Sequence, residues 1–397
     1  MDQKRRYILM HKDERVLSFE VTFGECYRVE VIEPLEHFER APFGMKRGMD
    51  AEMLNYQLMN FCGTRAIAFQ RQDYDDIIKY TGASNAFELS FKGHGLTLAN
   101  HYWYQKEGES LRYKDINFFE NGWDDSFGRA VLKGDYEALK DVDLNVPDIV
   151  TAGWGIKGWL YEAGVPRLYK LGICKGHCEE PLAEVLSSRL AQRIFKKGDA
   201  AEYELAEIYG KYASVSNAIV GLDEELLPLS FVLPWEINEL YRARGSDKTK
   251  TKEFFGKLEE CSIPGLVEFF VKISCFRSIS FVNDLHFDNL SAIRNLETGA
   301  IRLAPMLDFG SSFGSGQKAR AILSNITKST YLLVYFMYSD LEPDWDYSWY
   351  HKEALIGFED EIKEMLSKSP FYTPELINNI IDVYHTQLAA LNRLAHQ

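Results

Sequence analysis

The sequence predicts an α+β chain of two lobes: strand-rich at first, then a single amphipathic helix, then a large and mainly helical half. Three observations carry this. Short strand-like runs, one of them alternating with period two, fill residues 5–35. Apolar residues three and four apart dominate the last part. The 397 residues are also too many for one ordinary hydrophobic core. With 46% hydrophobic and 14% aromatic residues the chain is globular, and its 25 Phe, 22 Tyr and 7 Trp supply the apolar area that several cores need.

The elements follow in order. Tyr7–Met10 and Val16–Phe19 read as short strands, and Tyr27–Ile32 alternates as a half-buried strand should. From Asp50 to about Tyr80 the spacing turns helical. Residues 85–147 are mixed and rich in Asp, Asn, Gly and Trp, and Pro147 closes them. A glycine-rich segment, Thr151 to Trp159, leads into a strand at Arg167–Leu171. Leu182, Val185, Leu186, Leu190 and Ile194 then share one face of a helix running from Glu179 to Ile194. A further helical segment precedes a third strand-like run, Ser214–Val220. The rest is helical, broken by strand-rich residues 279–304, and the last 75 residues read as three helices. These divide into an accessory region at 1–147, a small lobe at 148–220 and a helical lobe at 221–397.

Composition excludes several classes. The net charge of −14 and the lack of a long basic run argue against unaided nucleic-acid binding, which rests on Lys and Arg neutralising phosphates. No apolar run approaches the roughly 18–20 residues of a membrane span, and Met1–Met10 lacks the apolar core of a signal peptide. Six scattered cysteines are too few for a disulfide scaffold, so a reducing, cytoplasmic setting is expected. Cys174 and Cys178 with His177 between them have no second ligand cluster downstream, which disfavours zinc.

The chemistry concentrates between Phe281 and Gly310. Asp284 precedes Asn289 by five residues, a short hairpin with Asn295 and Gly299 near its turn follows, and Asp308-Phe309-Gly310 comes next. Protein kinases order a catalytic Asp, an Asn and an Asp-Phe-Gly in this way, so a two-lobed protein-kinase-like core is the expectation. Phosphoryl transfer needs a carboxylate to accept or orient the attacking hydroxyl proton, the role expected of Asp284. It also needs hard oxygen ligands that hold Mg2+ against the triphosphate of ATP, the role expected of Asn289 and Asp308. Asp288 reads as a solvated loop residue. His286 braces the loop or touches phosphate.

Upstream, Lys170 sits between apolar neighbours ahead of the amphipathic helix, where a kinase keeps the lysine that pairs the α and β phosphates. Glu184 on that helix, or Glu180 one turn earlier, is placed to pair with it. Gly153, Gly155 and Gly158, with Ile156 and Lys157 between them, would let backbone N–H groups approach phosphate. Trp159 after Gly158 breaks the G-x-x-x-x-G-K-[ST] pattern, which disfavours a P-loop enzyme.

Asn283-Asp284-Leu285-His286-Phe287-Asp288-Asn289 and Leu303-Ala304-Pro305-Met306-Leu307-Asp308-Phe309-Gly310 resemble the HipA-like kinases, the toxin kinases of bacterial toxin–antitoxin pairs. The Lys170 strand, the helix from Glu180 and the strand-rich N-terminal region resemble the same family. The resemblance implies that Asp284 is catalytic, that Asn289 and Asp308 bind magnesium, that Lys170 meets the nucleotide phosphates, and that a protein Ser or Thr is phosphorylated; Leu307 beside Asp308 is counted with the expected nucleotide contacts. It also implies autophosphorylation near Thr151 and a separate DNA-binding antitoxin partner. Leu307 stands where family members often have Tyr, and the glycine-rich segment departs from the family pattern. A lipid or small-molecule kinase, and a catalytically silent partner-binding module, are the alternative expectations.

Overall fold

The computed structural model describes residues 3–24, 27–42, 44–172, 179–243, 248–282, 284, 286–287, 289–315 and 346–395. The chain divides into two compact units, Met1–Lys170 with Asn217–Glu225, and Leu171–Ser216 with Leu226–Gln397. The mixed class expected from the sequence is the class observed: antiparallel sheets with many helices.

The first unit opens on strands β1 (Gln3–His11), β2 (Glu14–Phe23) and β3 (Arg28–Pro34), and β4 (Tyr102–Lys106) completes a sheet of order β3-β2-β1-β4. Its pairs are antiparallel, with Tyr7 opposite Phe19 and Leu9 opposite Tyr104. Phe19, Val21 and Phe23 alternate inward along β2 because period-two alternation sends every second side chain to one face. The helical stretch expected from Asp50 to Tyr80 is two helices, α1 (Ala51–Gly63) and α2 (Tyr74–Thr81). Asp50 caps the first through Met53 N at 2.8 Å. The helix α3 (Ala86–Lys92), capped by Asn85, stacks Phe91 on Tyr104 at 4.3 Å to close this core. Short helices α4 (Tyr113–Ile116) and α5 (Ser126–Lys133) follow, then neighbouring strands β5 (Ile156–Glu162) and β6 (Val165–Gly172).

The second unit begins with α6 (Glu179–Ile194), whose bounds are those expected. Strands β7 (Glu204–Ile208) and β8 (Lys211–Asn217) then form an antiparallel hairpin, where a helical segment leading into a strand was expected. Tyr209 (φ 50°) and Gly210 (φ 70°) make its two-residue turn, a conformation that matches the strand twist and is open to Gly without penalty. After β9 (Glu224–Pro228) come α7 (Leu229–Val232), α8 (Trp235–Ala243), α9 (Lys248–Glu259) and α10 (Leu266–Ser280). Strands β10 (Ser291–Asn295) and β11 (Ile301–Leu303) occupy part of the strand-rich stretch expected at 279–304, which otherwise holds the end of α10 and a loop. The last helices are α11 (Phe358–Leu366) and α12 (Pro374–Leu394), and the remaining helix expected near the C-terminus falls outside the described residues.

The core of this unit forms around α10, which is buried along almost its whole length. Ile273, Phe276 and Ile279 share one cluster with Leu186 and Leu190 of α6, Phe358 of α11 and Tyr384 of α12. Lys272 enters this apolar setting with its charge matched: Nζ lies 2.6 Å from Asp199 Oδ2 and 2.8 Å from Glu268 Oε1. Among the described residues no helix is long and apolar enough to cross a membrane.

Candidate active site

The loop that carries Asp284 hangs from the end of α10. Within that buried helix Ser274, Ser278 and Ser280 each donate to the carbonyl four residues back, at 2.7, 3.0 and 2.7 Å, so none leaves a hydroxyl unsatisfied. Phe281 takes a left-handed φ of 60° and turns the chain out of the helix. Phe281, Val282, Phe287 and Leu290 are buried and anchor the loop, whereas Asp284 is exposed. Asn289 closes the loop: its Nδ2 donates to the Asp284 carbonyl at 2.8 Å. Asn289 N and Leu290 N both reach the His286 carbonyl, at 2.9 and 3.1 Å. His286 Nε2 lies 3.5 Å from Asp284 Oδ1, a bracing position rather than a deep one, since both side chains are about half exposed. Asp288 lies outside the described residues, as do Asn283, Leu285 and the Cys174–Cys178 group.

The hairpin returns the chain to the same place. Ala292 pairs with Leu303, and the Asn295 side chain accepts from Thr298 N at 2.8 Å to hold the turn. Ala304 N donates to Ser291 O at 2.9 Å, and Phe313 N donates to Ser280 O at 2.9 Å. Loop 281–290 and segment 305–312 are therefore stitched together at both ends. Asp284 and Asn289 lie on one of these adjacent segments and Asp308 on the other.

A second set of bonds fixes Asp308 itself. Met306 N donates to Asp199 O and Ala201 N to Met306 O, each at 2.8 Å, a parallel bridge that continues the chain towards Asp308. Asp308 N donates to the Tyr203 hydroxyl at 3.3 Å. Its φ of 64° lies in the left-handed region, where Asp is among the residues most often found. Phe309 is fully buried, its ring 5.1 Å from Phe276 and 6.1 Å from Tyr203. Ser312 donates to Ala183 O at 3.1 Å and accepts from Ser187 at 2.7 Å, which docks the segment on α6. Leu307, between these anchors, is half-buried.

On that helix Glu184 is buried and its Oε2 accepts a hydrogen bond from Ser214 Oγ of β8. Glu180, one turn earlier, lies beside the Asp-Phe-Gly segment: a Cβ at Gly310 would stand 3.6 Å from the Glu180 Cβ. A Cβ at Gly172 would come within 2.7 Å of that same atom, and Gly172 has φ 70°, so both space and backbone require glycine there. The two glutamates weighed from the sequence thus sit in different surroundings, one sealed against β8 and one against glycines.

The remaining candidates belong to the first unit. Lys170 is on β6, half-buried between Tyr169 and Leu171. Gly153 takes φ 93° and Gly155 follows in the same bend. Ile156, Lys157 and Gly158 are already in β5. Gly158 lacks a side chain for a structural reason: a Cβ there would meet the Gly128 backbone of α5 at 2.8–3.1 Å. The helix packs directly on the strand at that point. Thr151 is buried, and its hydroxyl donates to Asp148 O at 2.7 Å.

The donor set suits magnesium. Asn289 and Asp308 offer hard oxygens, and the Asn289 amide nitrogen is spent on the Asp284 carbonyl, so the amide oxygen is the end left for a cation. No local pattern marks Tyr203, Ser280 or Phe313 as supports, because each acts across the fold on residues far away along the chain.

No protein-family model and no curated protein matches the chain. Among solved structures it is similar to HipA of the Shewanella oneidensis MR-1 toxin–antitoxin system, solved with HipB and its operator DNA. That likeness has a TM-score of 0.47 at 11% identity, over 98% of this chain and 97% of that one. It is also similar to the Helicobacter pylori proinflammatory kinase CtkA, with a TM-score of 0.39 at 11% identity, over 60% of this chain and 92% of that one.

Proposed function

We propose that this protein is a HipA-like kinase that transfers the γ-phosphoryl group of ATP to a hydroxyl of a protein Ser or Thr. The observation that carries the reading is the double stitch of loop 281–290 to segment 305–312, at Ser291–Ala304 and Ser280–Phe313. It brings a loop with an exposed carboxylate and an amide together with a segment bearing a second carboxylate. That set is what an in-line phosphoryl transfer requires.

The substrate hydroxyl oxygen bonds to the γ-phosphorus as the bond to the β–γ bridging oxygen breaks. ADP leaves, and the hydroxyl proton passes to Asp284. Its exposure lets a macromolecular hydroxyl approach, and His286 at 3.5 Å steadies its carboxylate. Asn289 and Asp308 would hold Mg2+, which supplies neutralisation of the charge on the transferring phosphates. Phe309, packed on Phe276, keeps the Asp308 backbone from drifting. Lys170 and the turn at Gly153–Gly155 are the proposed partners of the nucleotide phosphates.

The motif resemblance extends the reading to a cytoplasmic toxin whose antitoxin partner is a DNA-binding protein. The net charge of −14 suits a chain that meets DNA only through such a partner.

Asp284→Ala tests the assignment. The side chain is largely exposed, so thermal unfolding should be unchanged. Phosphotransfer should fall by about 10²–10⁴-fold, the usual contribution of a positioned base. Full activity in a folded variant would remove Asp284 from the mechanism.

A further inference from the structure

The strongest unassigned feature is a buried cation far from Asp308 in sequence. Arg71 and Asp73 are an ion pair whose side chains are almost wholly removed from solvent. Arg71 Nε lies 2.6 Å from Asp73 Oδ1, and Nη2 lies 3.2 Å from Oδ2. A buried guanidinium is costly unless its donors find partners. Here the remaining donors go to one place. Nη1 donates to Thr151 Oγ1 at 2.9 Å, and Nη2 donates to Lys157 O at 2.8 Å. One rigid planar group therefore grips both ends of the turn that holds Gly153 and Gly155.

The middle of the turn is held by the same segment. Gln72 N donates to Trp154 O at 3.1 Å. In a trans peptide the carbonyl and the following N–H point in opposite directions. With the Trp154 carbonyl turned towards residue 72, the Gly155 N–H points away from the 71–73 segment, the orientation an anion outside the turn would need.

We propose that Arg71 is a positioning residue for the nucleotide phosphates: with Asp73 it clamps turn 151–157 in the one shape that presents the Gly155 N–H. This rests on the phosphotransfer reading given above. It adds that the N-terminal region, through three consecutive residues, sets the affinity of the nucleotide site without touching the nucleotide.

Lysine cannot reproduce the forked geometry, so Arg71→Lys should fail to rescue. The double variant Arg71→Met/Asp73→Asn removes the clamp without leaving a buried unpaired carboxylate, and Thr151→Val removes the Nη1 contact together with the bond from the Thr151 hydroxyl to Asp148 O. The first readout is amide hydrogen exchange in the full chain without nucleotide. Exchange at 152–157 should quicken about tenfold or more in the Arg71 variants, the loss expected for one charge-assisted bond. The second is steady-state kinetics with Mg-ATP. KM should rise about tenfold with kcat within roughly threefold, because the clamp acts on binding and not on the hydroxyl proton.

Unchanged exchange at 152–157 would overturn the clamp while leaving the kinase reading intact. A fall in kcat at constant KM would overturn the positioning role. If exchange quickens but the wild-type protein neither binds nor turns over Mg-ATP, the phosphotransfer reading fails, and the nucleotide role of Arg71 fails with it.

Discussion

Asp148 stands at the base of the same turn and gives a pH-dependent prediction. It lies in the short helix Pro147–Val150 and is 1% exposed. Its Oδ1 accepts from Trp159 N at 2.8 Å, but among the described residues Oδ2 meets no donor. Burial pushes its pKa up from 3.8 to about 7, against the opposing pull of the Trp159 N–H and the Arg71 guanidinium. The folded state therefore binds a proton more tightly than the unfolded chain. The stability this group contributes is complete below about pH 4 and is lost as pH rises through about 7. A shift of about three units sets an upper limit of ~4 kcal/mol over that window. Asp148→Asn keeps the acceptor for Trp159 N and carries no charge at any pH. Any cost of burying its new amide N–H is the same at every pH and leaves the slope untouched. Urea unfolding of the full chain between pH 4 and 8, following the transition of the first unit, should show wild-type stability falling relative to the variant by up to ~4 kcal/mol. Parallel pH profiles would refute the reasoning, since they would mean that the buried carboxyl titrates as it does in the unfolded chain.

Other outcomes follow from the packing. Phe309→Ala should cost about 3–5 kcal/mol, as expected for a fully buried ring, with a matching drop in the urea midpoint. A loss under about 1 kcal/mol would mean that Phe309 does not anchor the Asp308 segment. His101 is buried, and desolvation lowers its pKa to about 4, while its Nε2 donates to Glu224 O at 2.9 Å. Its depressed pKa gives stability that is present above about pH 6.5 and lost as pH falls through about 4. Its NMR titration should therefore show no midpoint near 6.5, and a midpoint there would contradict the burial argument. Asp308→Asn should raise the magnesium concentration needed for half-maximal phosphotransfer, and an unchanged metal dependence would point to other ligands.

Much of this architecture was legible because local chemistry and fold agree. Tyr27 to Ile32 and Leu182 to Ile194 carry their periodicities openly, and β3 and α6 stand there. The five-residue gap from Asp284 to Asn289 is a local fact, and Asn289 does bond back to Asp284. The hairpin β7–β8 was hidden because Glu204-Leu-Ala-Glu holds strong helix formers, and the Tyr209-Gly210 turn with its pairing overrides that preference. Gly158 has a second reason to be glycine that no local pattern shows: its missing side chain serves the packing of α5 on β5. Arg71, Tyr203 and Phe313 were beyond reach because their partners are 80 or more residues away, or join segments that only the folded core brings together.

The most direct test is incubation with γ-labelled ATP and magnesium, with wild type beside Asp308→Ala, reading label on the protein and on a lysate of its host. The account predicts label on protein hydroxyls with the wild type and its loss with the variant, although both chains are folded. Equal labelling by both proteins, or none by a wild type shown to be folded, would contradict it.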